Sequence, residues 1–126
     1  MDRQVFQRKM DYMLKTGNNV LSYDEQQEIM VKSIEKLDAK KRMPMRGFHN
    51  TVIVIEELAE LAQELSKALR EKGDINAILE ELADVSIGVD YVKEIFDITD
   101  KELDYARSIK MMELNNKLIT NSESYS

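Results

Sequence analysis

Residues that interrupt helices are rare in this chain, whose 126 residues include only four glycines and one proline. Apolar residues recur at helical spacing through most of the sequence, between short segments that carry Gly, Asn or Asp. Sheets need more turn residues and more β-branched alternation than this composition offers. The sequence therefore predicts an all-α fold, and its length suits one compact domain.

Capping signals divide the chain into helices. Ser22 with Glu25, and Thr99 with Glu102, have the spacing of a capping box, and Gly73 is predicted to end the third helix. The connections are short enough to make sequential helices antiparallel neighbours, which predicts a four- or five-helix bundle. The predicted helices span about residues 3–15, 23–40, 49–71, 74–96 and 99–119.

Charge and cysteine content exclude several classes of protein. The formal net charge is −6 and no clustered positive surface is evident, so a nucleic-acid partner is not expected. The absence of cysteine excludes disulfides and thiolate metal sites and suits a reducing compartment. The N-terminal segment lacks an apolar signal region, and the apolar run at 52–55 is too short to cross a bilayer. We therefore expect a cytoplasmic protein without a membrane partner.

Two acidic clusters stand on the third and fourth predicted helices, in the segments EELAE and ELAD. At about 100° per residue, Glu57 and Glu60 line one edge of an apolar stripe, whereas Glu56 points further outward. Glu81 and Asp84, one turn apart, lie inside the core-facing stripe of the fourth helix. The pattern therefore predicts that carboxylates from two neighbouring helices face each other.

Ionised carboxylates in apolar surroundings are costly unless a cation pairs with them or their pKa rises until they are neutral. The same sector of the fourth helix contains no Lys or Arg, and Ala77 and Gly88 leave space beside the acids. A bound metal ion is the predicted counter-charge. Oxygen ligands, no cysteine and the single His49 favour Mg²⁺ or Mn²⁺ over Zn²⁺. We assign His49 to capping or support of the site rather than to metal ligation.

Two alternatives to a magnesium site also place several acids on helices. In an acidic chain, the EExxE pattern is common on a solvated helix face that local pairs such as Glu64 with Lys67 stabilise. A di-iron carboxylate bundle normally takes an ExxH pair from its helices, and neither Glu60 nor Glu81 is followed by histidine at that spacing. The burial of the ELAD acids favours a magnesium-type site over a solvated face and over a di-iron centre.

The order EExxE, spacer and ExxD resembles the signature of the all-α nucleoside triphosphate pyrophosphohydrolase superfamily. The flanking segments HNTVIVIEELAELAQELSKALR and ILEELADVSIGVDYVKEIF are similar to short MazG-like proteins of Gram-positive bacteria and their phages, and the similarity covers about residues 26–112. The resemblance implies an N-terminal helical extension at 1–22, a MazG-like helical domain at 23–119 and a flexible tail at 120–126.

The resemblance also implies an activity and a set of site residues. Enzymes of this family cleave a nucleoside triphosphate between its α- and β-phosphates, which releases a monophosphate and pyrophosphate and controls nucleotide pools. By analogy, Mg²⁺ is expected on Glu57, Glu60, Glu81 and Asp84. Glu56 or Glu60 is expected to help remove a proton from the attacking water.

Substrate contacts are predicted on the fourth and fifth helices. Lys110 and Asn115 occupy the region in which the family binds phosphate, and Tyr91 lies on the acid side of its helix as a candidate base contact. The chain departs from the family at Glu113, where short relatives carry Arg, and at Gly88, where many carry Asn. These departures motivate an alternative function: a catalytically idle MazG-like bundle, such as a phage-encoded regulator, that binds a nucleotide or a protein.

The third and fourth helices are too apolar to be covered by two short partner helices in a chain of this size. A homodimer or homotetramer is therefore expected to complete the core. On the third helix, the apolar stripe is formed by Val54, Leu58, Leu61, Ala62, Leu65 and Leu69.

Overall fold

The computed structural model describes residues 2–40 and 44–120, and all regular secondary structure in these two ranges is helical. The all-α prediction is confirmed for this part of the chain. The helices are α1 (Arg3–Thr16), α2 (Tyr23–Lys40), α3 (Phe48–Leu69), α4 (Ile75–Ile95) and α5 (Asp100–Thr120). Most of the predicted flexible tail, at 121–126, lies outside the described residues.

The chain divides into two compact units, Met1–Ile95 and Phe96–Ser126. The first unit contains α1 to α4, and the second contains α5. Among the helices of the described ranges, none combines the length and the apolar composition needed to cross a membrane.

Local capping explains why the helices begin where the sequence predicts. The backbone N–H of Glu25 donates to Ser22 Oγ at 3.1 Å, and the N–H of Ser22 donates to Glu25 Oε1 at 3.0 Å. Thr99 and Glu102 form the same reciprocal pair, with both distances at 3.1 Å. These bonds satisfy backbone donors that the first turn of a helix leaves without a partner. Both predicted capping boxes are therefore confirmed.

The turn between α3 and α4 differs from its prediction in one detail. The residue in the left-handed conformation is Glu71, with φ of 60°, rather than Gly73. The N–H of Lys72 donates to the carbonyl of Lys67 at 2.9 Å, as in a Schellman motif. Gly73 is required for another reason, because a Cβ at this position would lie 2.7 Å from the Cα of Ala68.

Helices α3 and α4 form the main packing contact of the first unit, while α2 packs on α3 and α1 contacts α4. At the centre of the α3–α4 contact, a Cβ at Gly88 would lie 3.2 Å from Cγ1 of Val54. Asn50 of α3 is buried and donates from Nδ2 to Ser33 Oγ of α2 at 3.2 Å. Among the described residues, the buried apolar side chains are few: Met30, Ile34, Val54 and Ala77.

Much of the apolar stripe of α3 is exposed in the single chain. Leu58, Leu65 and Leu69 are 50%, 48% and 88% exposed, respectively, although Val54 at the start of the stripe is buried. Within the described residues, these leucines are therefore left without a full cover, and the predicted oligomer stays a prediction.

The Val54–Gly88 contact generates the first prediction. Gly88→Leu adds a branched side chain where the helices touch, and overpacking of this kind lowers the free energy of unfolding by about 1–3 kcal/mol. Urea denaturation measures the change. Ala83→Leu, at an exposed position of the same helix, is the matched control and should change stability by less than about 0.5 kcal/mol. Equal stabilities of the two variants would contradict a close approach of α3 and α4 at this point.

Candidate metal centre

Three carboxylates meet where α3 and α4 face each other. Glu57, Glu81 and Asp84 each place one carboxylate oxygen within 4.8 Å of the others, and all three residues are partly buried. Glu57 follows Val54 by about one turn of α3, and Asp84 precedes Gly88 by about one turn of α4. The tight packing of Val54 on Gly88 therefore holds the acids of the two helices together.

The remaining two acids of the EELAE segment are exposed, and they differ in their relation to this cluster. Glu60 is close enough to Glu81 for its carboxyl to raise the pKa of Glu81. Glu56 is exposed, and neither Glu56 nor Glu60 belongs to the group of three acids. The outward direction that helical periodicity predicts for Glu56 is therefore confirmed.

Burial and mutual repulsion disfavour the charged forms of the clustered acids. Burial raises the pKa of Glu57 to about 7, and the negative charges of Asp84 and Glu60 act in the same direction. Burial likewise raises the pKa of Glu81, with further contributions from Glu60 and Asp84, while Arg3 opposes the shift. The folded chain thus holds several acids that a bound cation would stabilise in their ionised form.

The oxygen atoms of the cluster suit a hard divalent cation. Oε2 of Glu57 and Oε2 of Glu81 are buried and accept no hydrogen bond within the described part of the chain. Buried oxygens of this kind normally have a hydrogen-bond or metal partner. Because carboxylates are the ligands that Mg²⁺ and Mn²⁺ prefer, these residues fit an ion of this class. Glu57, Glu81 and Asp84 could therefore bind a metal ion.

Other polar residues of α3 lie outside this cluster. Glu64 Oε1 forms an ion pair with Lys67 Nζ at 3.2 Å, which is the local pairing expected of a solvated helix face. His49 is exposed in the first turn of α3 and does not belong to the group of acids. A local ion pair therefore accounts for Glu64, whereas the buried Oε2 of Glu57 has no such partner among the described residues.

A cation near the cluster is a feature that the sequence does not predict. Nη1 of Arg3, the first residue of α1, lies 3.3 Å from Oε2 of Glu80 on α4. Because the apolar sector of α4 contains no basic residue, the sequence points to a metal ion as the only charge that could balance the acids. Arg3 and Glu80 are far apart in sequence, so no local pattern signals their contact.

Tyr91 lines a cavity between α2 and α4 of about 270 Å³. It lies seven residues after Asp84, which places it on the same side of α4 and about 10 Å further along the axis. The cavity wall combines apolar, aromatic, amide and carboxylate side chains. It is formed by Leu21, Tyr23, Gln26, Gln27, Ile29, Met30, Ile87, Asp90 and Tyr91.

The predicted phosphate contacts Lys110 and Asn115 lie on α5, in the second unit of the chain, and both are exposed. Nζ of Lys110 pairs with Oε2 of Glu113 at 3.3 Å. Glu113 thus makes a local pair with the predicted phosphate ligand. The role of Lys110 and Asn115 in phosphate binding stays a prediction.

No family model, curated protein or solved structure gives a significant match to the chain. The resemblance to MazG-like enzymes therefore stays a prediction based on the two motifs. The functional argument depends on the geometry and charge of the acid cluster.

The raised pKa of Glu57 predicts how stability depends on pH. Below pH 4.5, Glu57 is protonated in both the folded and the unfolded chain, whereas between 4.5 and about 7 the folded state binds the proton more readily. The metal-free protein should therefore melt at a higher temperature near pH 5 than near pH 8. Scanning calorimetry in the presence of a chelator measures this trend.

Glu57→Gln removes the titrating group and should make the melting temperature less dependent on pH in this window. Mg²⁺ should have a similar effect on the wild-type protein, because a bound cation displaces the proton. If Glu57→Gln kept the full pH dependence, the shift would have to be assigned to other groups.

Proposed function

We propose that this protein is an Mg²⁺-dependent nucleoside triphosphate pyrophosphohydrolase, which cleaves its substrate between the α- and β-phosphates to give a monophosphate and pyrophosphate. The observation that carries the proposal is the cluster of Glu57, Glu81 and Asp84, whose partly buried carboxylates converge from two packed helices. Structural acids are normally paired or solvated, whereas this cluster includes buried oxygens that need a partner. Mn²⁺ is expected to substitute for Mg²⁺.

The acidic residues have different proposed roles in the reaction. When bound, Mg²⁺ neutralises charge on the phosphates and lowers the pKa of a coordinated water. Glu57, Glu81 and Asp84 fix the position of the ion, with Glu60 at the exposed edge as the fourth predicted ligand. Glu60 is also the better placed of the two candidate bases, because its carboxyl acts on both Glu57 and Glu81.

The cavity beside Tyr91 is the proposed site for the nucleoside. Tyr23 and Tyr91 supply aromatic faces, and the side-chain amides of Gln26 and Gln27 supply both donors and acceptors for the edge of a base. The cavity and the acids occupy the same side of α4, at a separation of about 10 Å that suits the two ends of a nucleotide. Lys110 and Asn115 of α5 stay candidate phosphate contacts.

A homodimer or homotetramer is the proposed assembly. The exposed leucines of α3, Leu58, Leu65 and Leu69, lie at helical spacing and form a continuous apolar strip. Exposed apolar strips of this kind normally mark an interaction surface. A second copy that covers the strip would also enlarge the small core of the first unit.

Replacement of one acid provides the test of the activity. Glu81→Gln should reduce pyrophosphate release by at least about 10- to 100-fold. In metal enzymes, replacing a residue that only supports a metal ligand already causes a loss of this size. The assay uses a panel of nucleoside triphosphates with Mg²⁺ and with Mn²⁺. Glu94→Gln is the matched control, because Glu94 lies on the same helix and pairs with Arg46 rather than with the acids.

The melting temperature shows whether Glu81→Gln retains the fold. If the wild-type protein released no pyrophosphate from any triphosphate with either metal, the proposed activity would be wrong. Nucleotide binding without turnover would then favour the alternative of a catalytically idle regulator.

The proposed nucleoside site leads to a separate prediction. Tyr91→Ala should weaken binding of a non-hydrolysable triphosphate by about 1–3 kcal/mol, the range found for loss of an aromatic face that stacks on a base. Tyr91→Phe keeps the aromatic face and should bind the nucleotide nearly as well as the wild-type protein. Calorimetric titration measures both affinities. Equal affinity of Tyr91→Ala and the wild type would show that this cavity does not bind the nucleoside.

A further inference from the structure

Arg3 brings a positive charge from α1 to the side of α4 that carries the acids. Its Nη1 atom lies 3.3 Å from Glu80 Oε2, and Glu80 is the neighbour of Glu81 in the sequence. Glu80 also precedes Asp84 by four residues, which places these two acids on one side of the helix. The guanidinium group of Arg3 therefore lies beside the residue that immediately precedes Glu81, about one turn of α4 before Asp84.

The ion pair with Glu80 does not use all the donors of the guanidinium group. Arginine has five N–H donors in a planar fork, and Glu80 lies beside one nitrogen. Nη1 is buried and makes no hydrogen bond to an acceptor of the described residues, despite its proximity to Glu80. The side chain of Arg3 as a whole is nevertheless 38% exposed, so it can be reached from solvent.

Phosphate is the ligand class that matches this arrangement. A guanidinium fork can bind two oxygens of one phosphate, which gives both charge and direction to the contact. A triphosphate held at the acid cluster would extend beyond the metal ligands and expose further negative charge. Arg3 offers a compensating charge one residue from Glu81, and the guanidinium donors that Glu80 does not use could bind a phosphate.

We propose that Arg3 of α1 is a substrate-binding residue that contacts the β- and γ-phosphates of the triphosphate, and afterwards the pyrophosphate product. This inference rests on the proposed function, which it deepens by making the N-terminal helix part of the site. Glu80 holds the guanidinium group of Arg3 in position for the phosphates.

Arg3 should affect the affinities for the metal ion and for the phosphate in opposite directions. A positive charge beside Glu81 repels a metal ion that binds alone, but it attracts a phosphate that binds with the metal. A residue that only attaches α1 to α4 would instead affect both ligands in the same direction, through disorder of the site. The sign of the two changes therefore distinguishes a phosphate contact from a structural ion pair.

Titration calorimetry of the full chain with two probes tests the proposal. The probes are Mn²⁺ alone, and pyrophosphate in the presence of saturating Mg²⁺. Arg3→Gln should weaken pyrophosphate binding by about 10-fold or more, as expected for loss of a charged hydrogen bond, while Mn²⁺ binds at least as tightly as to the wild type. Arg3→Lys keeps the charge but not the fork, so its pyrophosphate affinity should be intermediate.

Arg8→Gln is the matched control, because Arg8 is an exposed arginine of the same helix. Its pyrophosphate affinity should remain close to that of the wild type. Equal weakening by Arg8→Gln and Arg3→Gln would overturn the proposal, because it would indicate a general effect of charge. Unchanged pyrophosphate binding by Arg3→Gln, or a parallel loss of Mn²⁺ binding, would also overturn it.

The experiment separates this inference from the proposed reaction. If the wild-type protein binds pyrophosphate through Arg3 but releases none from any triphosphate, the reaction is wrong and the anion contact stands. If the wild-type protein does not bind pyrophosphate with Mg²⁺, the assignment of Arg3 is wrong.

Discussion

The packing of Val54 against Gly88 is the contact on which the candidate site depends. It brings the axes of α3 and α4 close together, and the turn that follows Leu69 makes the two helices antiparallel. Residues about one turn away from this contact, Glu57 and Asp84, are then forced to face each other. The acids are thus near one another because an apolar contact holds their helices together, and not because they attract each other.

The same arrangement of acids lowers the free energy of unfolding of the metal-free chain. Burial, together with the negative charges of Asp84 and Glu60, raises the pKa of Glu57, so the ionised acids are unfavourable in the folded chain. Among the described residues of the first unit, few apolar side chains are buried to offset this cost, and several leucines of α3 remain exposed. A ligand that binds only the folded state, such as a cation between the acids or a second copy on the leucines, would shift the equilibrium towards folding. Site and stability are therefore linked through the same helix pair.

Features with a local cause could be predicted from the sequence. The capping boxes at Ser22 and Thr99 involve residues three apart, and the outward direction of Glu56 follows from the helical repeat alone. Helix ends agree with the predicted ends to within about two residues for the same reason. Even within the turn after α3, however, the choice of Glu71 over Gly73 as the left-handed residue depends on how closely the chain approaches Ala68.

Features that join distant parts of the chain could not be predicted in this way. The pairing of Arg3 with Glu80 requires α1 to pack on α4, and nothing in the sequence near either residue indicates that contact. The exposure of Leu69 has a related cause, because periodicity shows which face of a helix is apolar but not what covers it. Helical spacing is thus enough to find the acids, whereas the surrounding charge depends on tertiary packing.

In the proposed arrangement, α4 sets the direction of the bound nucleotide. Arg3 contacts the helix at Glu80, the metal-binding acids of the helix are Glu81 and Asp84, and Tyr91 lies two turns beyond Asp84. Phosphates therefore lie towards the start of α4 and the nucleoside towards its end. The bond to be broken falls between the two, beside the acids, because the α-phosphate links the leaving pyrophosphate to the sugar. A single rigid helix can fix this order, since it holds the three positions at constant separation along its axis.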